Sequence, residues 1–209
     1  MNPANPLQHN PYNLIITGVG GQGNVLASRM VGDMMSQLGY DVIIGETFGA
    51  SQRGGSVMSH LRITAKGVYS PQIPFGSAHM VVALEPSEAL RVLKDYGNPH
   101  VRVICNTRPV QPVGVIRGDL DYPDMADLRR WVRELSGAAW FIQATDMAMK
   151  LGNPILANVI SVGALAATGA LPLSRDHFEN VIGRKMAAGK IEMNLQAFDA
   201  GVAMIRSAG

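Results

Sequence analysis

Asn13 to Gly23 reads NLIITGVGGQG. Leu14, Ile15, Ile16 and Thr17 form an apolar, β-prone run that leads directly into Gly18, Gly20, Gly21 and Gly23. A helical pattern follows from Val25 to Leu38. Strand, glycine turn and helix in that order make the opening unit of a nucleotide-binding α/β domain. In the spacing Gly18-x-Gly20-x-x-Gly23 the first glycine permits the tight turn. The second lets backbone approach a phosphate, and the third lets the helix pack close to the strand. The helix start offers free N–H groups and a positive dipole end to an anion. The same turn also serves plain close packing in domains that hold no ligand, so both readings stand at this point.

The rest of the chain extends this unit. Gly39 suits a helix C-cap, and Asp41 to Glu46 (DVIIGE) is expected as a second strand. Glu46 falls where a dinucleotide-binding domain keeps its ribose acid. Phe48 to Ser56 (FGASQRGGS) argues against a standard dinucleotide site, because a polar glycine loop stands where a crossover helix would begin. Val57 to Ile63 alternates like a strand with one exposed face, and Gly67 with Val68-Tyr69 is expected to turn back as a hairpin. His79 to Leu84 and Val101 to Cys105 read as covered parallel strands. Glu85 to Tyr96 and Met125 to Leu135 read as helices, Ala139 to Ala144 as a last strand, and Val113 to Ile116 as a weak strand pair in an irregular stretch. From Asp146 the pattern is helical, with Ser174 as a capping candidate. Gly163, Ala167 and Ala170 are small enough to let another backbone approach. The predicted fold is α/β: a Rossmann-like three-layer domain with a mostly parallel sheet and a helical C-terminal part. Residues 1–12 are expected as an extended arm and 13–209 as one domain, helical from about residue 146.

Composition narrows the function. A formal net charge of +2, with no basic run longer than two residues, gives no footprint for nucleic acid or an anionic membrane surface. The single cysteine, Cys105, forms no internal disulfide and cannot assemble an iron–sulfur cluster or structural zinc site by itself. Its apolar run VRVIC marks a buried strand residue, and this cysteine usage fits a reducing cytoplasm. MNPANPLQHNPY lacks the basic and apolar regions of a signal peptide. Ile155 to Leu173 carries no charge, but Asn158, Ser161, Thr168 and Pro172 interrupt it, and a buried or interface helix is expected rather than a membrane span.

A second constellation, Ser51-Gln52-Arg53-Gly54-Gly55, is placed near the C-terminal end of the second strand, beside the crevice where open α/β sheets bind ligands. Arg53, followed by Gly54 and Gly55, can present its planar fork to a phosphate or carboxylate. Arg29 is either a second anion contact or a solvent-facing helix charge. His60, His79, His100 and His177 are isolated in sequence, and the methionines, Met30, Met34, Met35, Met147 and Met149 among them, are expected at core or interface positions. No triad, acid/base pair or metal-ligand spacing is found, so no catalytic or metal-binding residue is assigned. The residues describe a binding fold without its own reaction centre.

Taken together, GVGGQGNVLASRM (Gly18 to Met30) and GETFGASQRGGSVMSHLRI (Gly45 to Ile63) resemble the gamma-type subunit or domain of the 2-oxoacid:ferredoxin oxidoreductases, in the aryl-2-oxoacid branch that acts on indolepyruvate. The resemblance runs from about Tyr12 to the C-terminal helices. It implies a subunit of a heteromeric enzyme that decarboxylates a 2-oxoacid on thiamine diphosphate. Electrons pass through iron–sulfur clusters to ferredoxin or another acceptor, and an acyl-CoA forms. The thiamine diphosphate and clusters are implied to sit on partner subunits, and the gamma-type domain to pack beside the active site and in some members to help hold coenzyme A. On that reading Gly18, Gly20, Gly21, Gln22 and Gly23, with Asn24 next, cradle a pyrophosphate. Ser51, Gln52, Arg53, Gly54 and Gly55 close the crevice, and Arg29 stands where related domains often place a basic residue. Alternatives are a stand-alone NAD(P)- or FAD-binding oxidoreductase and a scaffold subunit with no ligand. A tubulin-type GTPase is opposed by the missing GGGTG loop.

Overall fold

The computed structural model describes residues 7–49 and 55–207. Strands β1 (Tyr12–Val19), β2 (Asp41–Phe48), β3 (Ser56–Thr64), β4 (Met80–Ala83), β5 (Arg102–Asn106) and β6 (Ala138–Ile142) form one sheet in the order β2-β3-β1-β4-β5-β6. β1, β4, β5 and β6 run parallel. β3 is antiparallel to both β1 and β2, so β2 points the same way as β1 and only β3 is reversed. Helices α1 (Asn24–Gln37), α6 (Ala157–Ala167), α7 (Arg175–Lys185) and α8 (Ala188–Arg206) cover one face, and α2 (Pro86–Tyr96) and α4 (Met125–Glu134) cover the other. Leu14 and Ile16 of β1 join the first core and Ile15 the second. Burial on both faces explains why β1 reads as an unbroken apolar run. Two short helices, α3 (Val113–Ile116) and α5 (Ala144–Lys150), complete the elements.

Several local expectations hold. Gly39 has φ +85°, and the Tyr40 N–H returns to the Met35 carbonyl at 3.2 Å, closing α1 with a left-handed residue. The Ser174 side chain caps α7 by accepting from the His177 N–H. Met30, Met34 and Met35 are buried in the first core, whereas Met149 is 57% exposed.

Others are corrected. β3 has no solvent face: it lies between β1 and β2, with His60 and Arg62 buried. Its polar residues serve the segment folded over the sheet rather than water. Arg62 Nε donates to Asn13 Oδ1 at 3.2 Å, its Nη1 donates to the Ser70 carbonyl at 3.1 Å, and the guanidinium lies 4.9 Å from the Tyr69 ring centre. Gly67 starts no hairpin, and Val68 is exposed. Val113–Ile116 is a helical turn, its Ile116 N–H returning to the Pro112 carbonyl at 3.1 Å. Because β3 intervenes, Glu46 stands on the edge strand, two strands from β1, and is not placed as a dinucleotide ribose acid. The uncharged stretch 155–173 is split. A 3-10 turn at Pro154–Leu156 leads into α6, and no described helix is long and apolar enough to cross a membrane.

α6 and α8 approach backbone to backbone. A Cβ on Gly163 would stand 2.0 Å from the Phe198 carbonyl oxygen, and one on Gly201 would stand 1.9 Å from that of Ile160. The small-residue expectation at Gly163 is met here, with Gly201 as its counterpart.

At the N-terminal end of the strands, His9 stacks on His79 with ring centres 4.0 Å apart and planes 3° from parallel. Burial, and then the neighbouring His9, hold the His79 pKa down at about 4, and burial lowers that of His60. In the unfolded chain both return toward the ordinary value of about 6.5. Below that pH the unfolded state takes up protons that the native state refuses, so these residues contribute stability above about pH 6.5 that is lost as pH falls toward 4. Urea unfolding midpoints are expected to drop over this window, and His79→Gln to flatten the slope in part, because His60 remains.

Candidate functional site

The chain leaves β1 toward β2 and β3, and leaves β4 toward β5 and β6, so the sheet reverses direction between β1 and β4. α1 and α2 depart to opposite faces at this point. Open α/β sheets bind ligands at such switch points, outside the carboxyl ends of the strands. Here those ends carry the Gly18–Asn24 turn and Leu84–Glu85.

The turn is held by its own side chains. Gln22 Oε1 accepts from the Val19 N–H at 2.7 Å and Gln22 Nε2 donates to the Leu84 carbonyl at 3.0 Å, so the carboxamide braces β1 to β4 instead of facing a ligand. Asn24 Nδ2 donates to the Val19 carbonyl at 3.1 Å. Gly18 is required by these contacts, since a Cβ there would lie 2.6 Å from both Asn24 Oδ1 and Gln22 Oε1. That crowding also places the buried, unpartnered Asn24 Oδ1 against the Gly18 backbone. Asn106, at the end of β5, donates through Nδ2 to the same Leu84 carbonyl at 3.0 Å and to Thr145 Oγ1 at 2.9 Å. The floor of the crevice is thus tied across three strands.

The pyrophosphate cradle read from the sequence is thereby narrowed. The Gly20 N–H donates to the Gly55 carbonyl at 2.8 Å and the Gln22 N–H to the Val19 carbonyl at 3.1 Å, and neither is free for an anion. The N–H groups of Gly21, Gly23, Asn24 and Val25 make no hydrogen bond among the described residues. Gly23 is the N-cap of α1 in a left-handed conformation, φ +84°, and brings no side-chain cap. Asn158 Nδ2 donates to its carbonyl at 3.3 Å from the start of α6. These free amides open into a crevice of about 730 Å³ with apolar walls that include Val25, Phe48, Val57 and Ile155. On the far side of Gly21 a smaller cavity of about 300 Å³ lies between Leu84 and Arg108.

Ser51, Gln52, Arg53 and Gly54 lie outside the described residues. The ends of their loop are fixed. Besides the Gly20–Gly55 bond, the Gly49 N–H donates to the Ser56 carbonyl at 2.8 Å, and Ser56 Oγ donates to Glu88 on α2. The loop therefore starts and finishes beside the glycine turn, as the sequence suggested. Arg29 is exposed on α1 and does not line the crevice.

Sequence reading did not single out Glu85 beyond a helix-start acid. The side chain is fully buried and accepts from the Glu88 N–H at 3.0 Å, Ser87 Oγ at 2.6 Å, the Val110 N–H at 3.3 Å and the Tyr122 hydroxyl. It anchors the irregular 107–124 segment to the end of β4. The usable signal was its place directly after a buried parallel strand. Cys105 lies near it, 1% exposed, its thiol pushed up to about 12 chiefly by burial and then by the Glu85 charge, against an opposing Arg129. Iodoacetamide at about pH 8 is expected to leave Cys105 unmodified in the native chain and to label it fully in denaturant, since the thiolate is the reactive form. Among the described residues no three His, Cys, Asp or Glu side chains are grouped to hold a metal ion.

Comparison with known proteins agrees with this arrangement. The pyruvate ferredoxin/flavodoxin oxidoreductase family matches residues 13–204. Indolepyruvate oxidoreductase subunit IorB of Pyrococcus horikoshii is 38% identical over 192 residues, which cover 91% of this chain and 94% of the relative. The gamma subunit of a keto/oxoacid ferredoxin oxidoreductase from Geobacter sulfurreducens superposes with a TM-score of 0.66 at 20% identity, covering 94% of this chain and 99% of that one. The 2-oxoglutarate:ferredoxin oxidoreductase of Magnetococcus marinus, solved with 2-oxoglutarate, coenzyme A and succinyl-CoA bound, superposes with a TM-score of 0.71 at 19% identity. That match covers 96% of this chain and 32% of the larger one. The match over nearly the whole chain, together with the glycine turn at the switch point, makes this chain a member of the pyruvate ferredoxin/flavodoxin oxidoreductase family.

Proposed function

We propose that the chain is the gamma-type subunit of a cytoplasmic, heteromeric 2-oxoacid oxidoreductase that converts an aryl-2-oxoacid such as indolepyruvate to its acyl-CoA. In this reading thiamine diphosphate and iron–sulfur clusters reside on partner subunits, which pass electrons to ferredoxin or another acceptor. This chain, with one cysteine, supplies a wall of the site and holds coenzyme A. The observation that carries the reading is the row of free amides at Gly21, Gly23, Asn24 and Val25, at the start of a helix without a side-chain cap, facing a crevice with apolar walls. Amides and helix dipole suit the pyrophosphate of coenzyme A, and the walls suit its pantetheine arm. Arg53 adds a cation from the adjoining loop.

Calorimetry with coenzyme A on the assembled complex tests this. The Cβ position of Gly21 is open space, so Gly21→Asp adds a carboxylate where the phosphate is placed, at the cost of backbone strain at φ +104°. Affinity is expected to fall at least about tenfold in Gly21→Asp and to a lesser extent in Arg53→Ala. Unchanged affinity in both sinks the coenzyme A assignment. The half-exposed Phe48 and Ile155 beside the turn favour a second reading, burial of this surface by the thiamine-binding subunit. In that case the same variants weaken assembly and leave coenzyme A binding intact.

A further inference from the structure

At the end of the sheet opposite the glycine turn, a cavity of about 460 Å³ opens between the N-terminal arm and the starts of β1, β4 and β5. His9, His79, His100, Arg102 and Tyr12 line it, and among the described residues no Asp or Glu does. We propose that this cavity is a second ligand site, for a small anion bearing a phosphate or carboxylate group, held by Arg102 with the stacked His9–His79 pair.

The side chains lining the cavity are neutral polar groups, aromatic rings and the Arg102 guanidinium. Arg102 Nη2 donates to Gln8 Oε1 at 3.2 Å and to the Tyr12 hydroxyl at 3.4 Å, both neutral acceptors. Arg102 forms no ion pair among the described residues, whereas other arginines, including Arg91, Arg108 and Arg175, each meet a carboxylate. A fork held in place by neutral oxygens keeps donors free for an anion, and among the described residues no carboxylate lines the cavity to compete. His79 Nδ1 accepts from the Asn13 N–H at 2.9 Å, which fixes the neutral ring as the Nε2–H tautomer. That N–H has no partner among the described residues. His9 lies flat on the same ring with centres 4.0 Å apart, so a charge on one imidazole is felt by the other. The walls are rigid: Asn98 Nδ2 donates to the Gly76 and Ala78 carbonyls at 3.1 and 2.8 Å, and the Arg102 N–H donates to the His79 carbonyl at 3.1 Å.

The test is heteronuclear NMR of the isotopically labelled full chain, titrated separately with inorganic phosphate and with succinate at constant ionic strength, chloride serving as the control. Saturable shifts are expected at the His9 and His79 rings and at Arg102 Nε, absent with chloride. The tighter of the two probes identifies the head group as phosphate or carboxylate. Arg102→Gln is expected to weaken binding at least about tenfold while leaving the remaining amide spectrum in place. No saturable shift in the wild type, equal affinity in Arg102→Gln, or shifts confined to the glycine-turn amides would each overturn the proposal, the last by moving the anion to the crevice at the other end of the sheet.

Discussion

Gly201→Ala is expected to lower stability by about 3 kcal/mol, although the same change in an ordinary helix interior raises it by about 1 kcal/mol. The sign reverses because the added methyl would meet backbone, the Ile160 oxygen at 1.9 Å and the Ala164 nitrogen at 2.7 Å. No rotamer relieves a clash with main chain, so α6 and α8 must separate. Separation opens the core around Phe178 and Phe198, which stack with ring centres 4.7 Å apart. It also moves Asn158, whose carboxamide holds the Gly23 carbonyl, so damage in the helical layer reaches the turn. Gly183→Ala on α7 is the control. That position has open space, and the variant is expected to gain about 0.5–1 kcal/mol. Urea unfolding followed by circular dichroism separates the two. A Gly201→Ala chain as stable as its Gly183→Ala counterpart would show that the two helices do not touch along their backbones.

Glu85→Ala is expected to cost about 3 kcal/mol, because it leaves the Glu88 and Val110 amides and the Ser87 and Tyr122 hydroxyls without their acceptor. Burial and the adjacent carboxylate push the Tyr122 phenol well above its ordinary value, so this group donates at any working pH. The effect has an address. Residues 107–124 carry Val113, Ile116 and Leu120 exposed, so little apolar burial holds them down. Hydrogen exchange should accelerate over that segment and at the start of α2 while the centre of β1 stays protected. Unaltered exchange at Val110, with an unaltered unfolding midpoint, would remove Glu85 as the anchor.

What the sequence displayed was local. Leu14 to Gly23 announced strand, turn and helix because each residue's role depends on its near neighbours, and Gly39 and Ser174 announced their caps for the same reason. Cys105 declared its burial through the apolar run around it. The unread parts depend on partners far along the chain. Ser59, His60 and Arg62 alternate with apolar residues as a half-exposed strand does, and only insertion of β3 between β1 and β2 makes them interior. Glu85 is an ordinary helix-start acid until Tyr122 folds over it, and His79 is solitary until the arm brings His9 onto its ring. At the site, the glycine spacing located the turn. It did not reveal that the Gly20 and Gln22 amides are engaged within the fold, leaving Gly21, Gly23, Asn24 and Val25 to face the crevice.

The reversed strand β3 has one more effect. It is in continuous register with β1 from Ser56 to Ile63 and with β2 from Val57 to Thr64, and the Gly49–Ser56 and Gly20–Gly55 bonds clamp the two ends of the loop between β2 and β3. Both ladders are built from residues outside the connection, so a change in its length leaves their register in place. Lengthening a loop of this size by a few residues costs well under about 1 kcal/mol. The fold therefore anchors a constant frame on both sides of this connection, and the frame keeps its register whatever length of chain joins the two anchors.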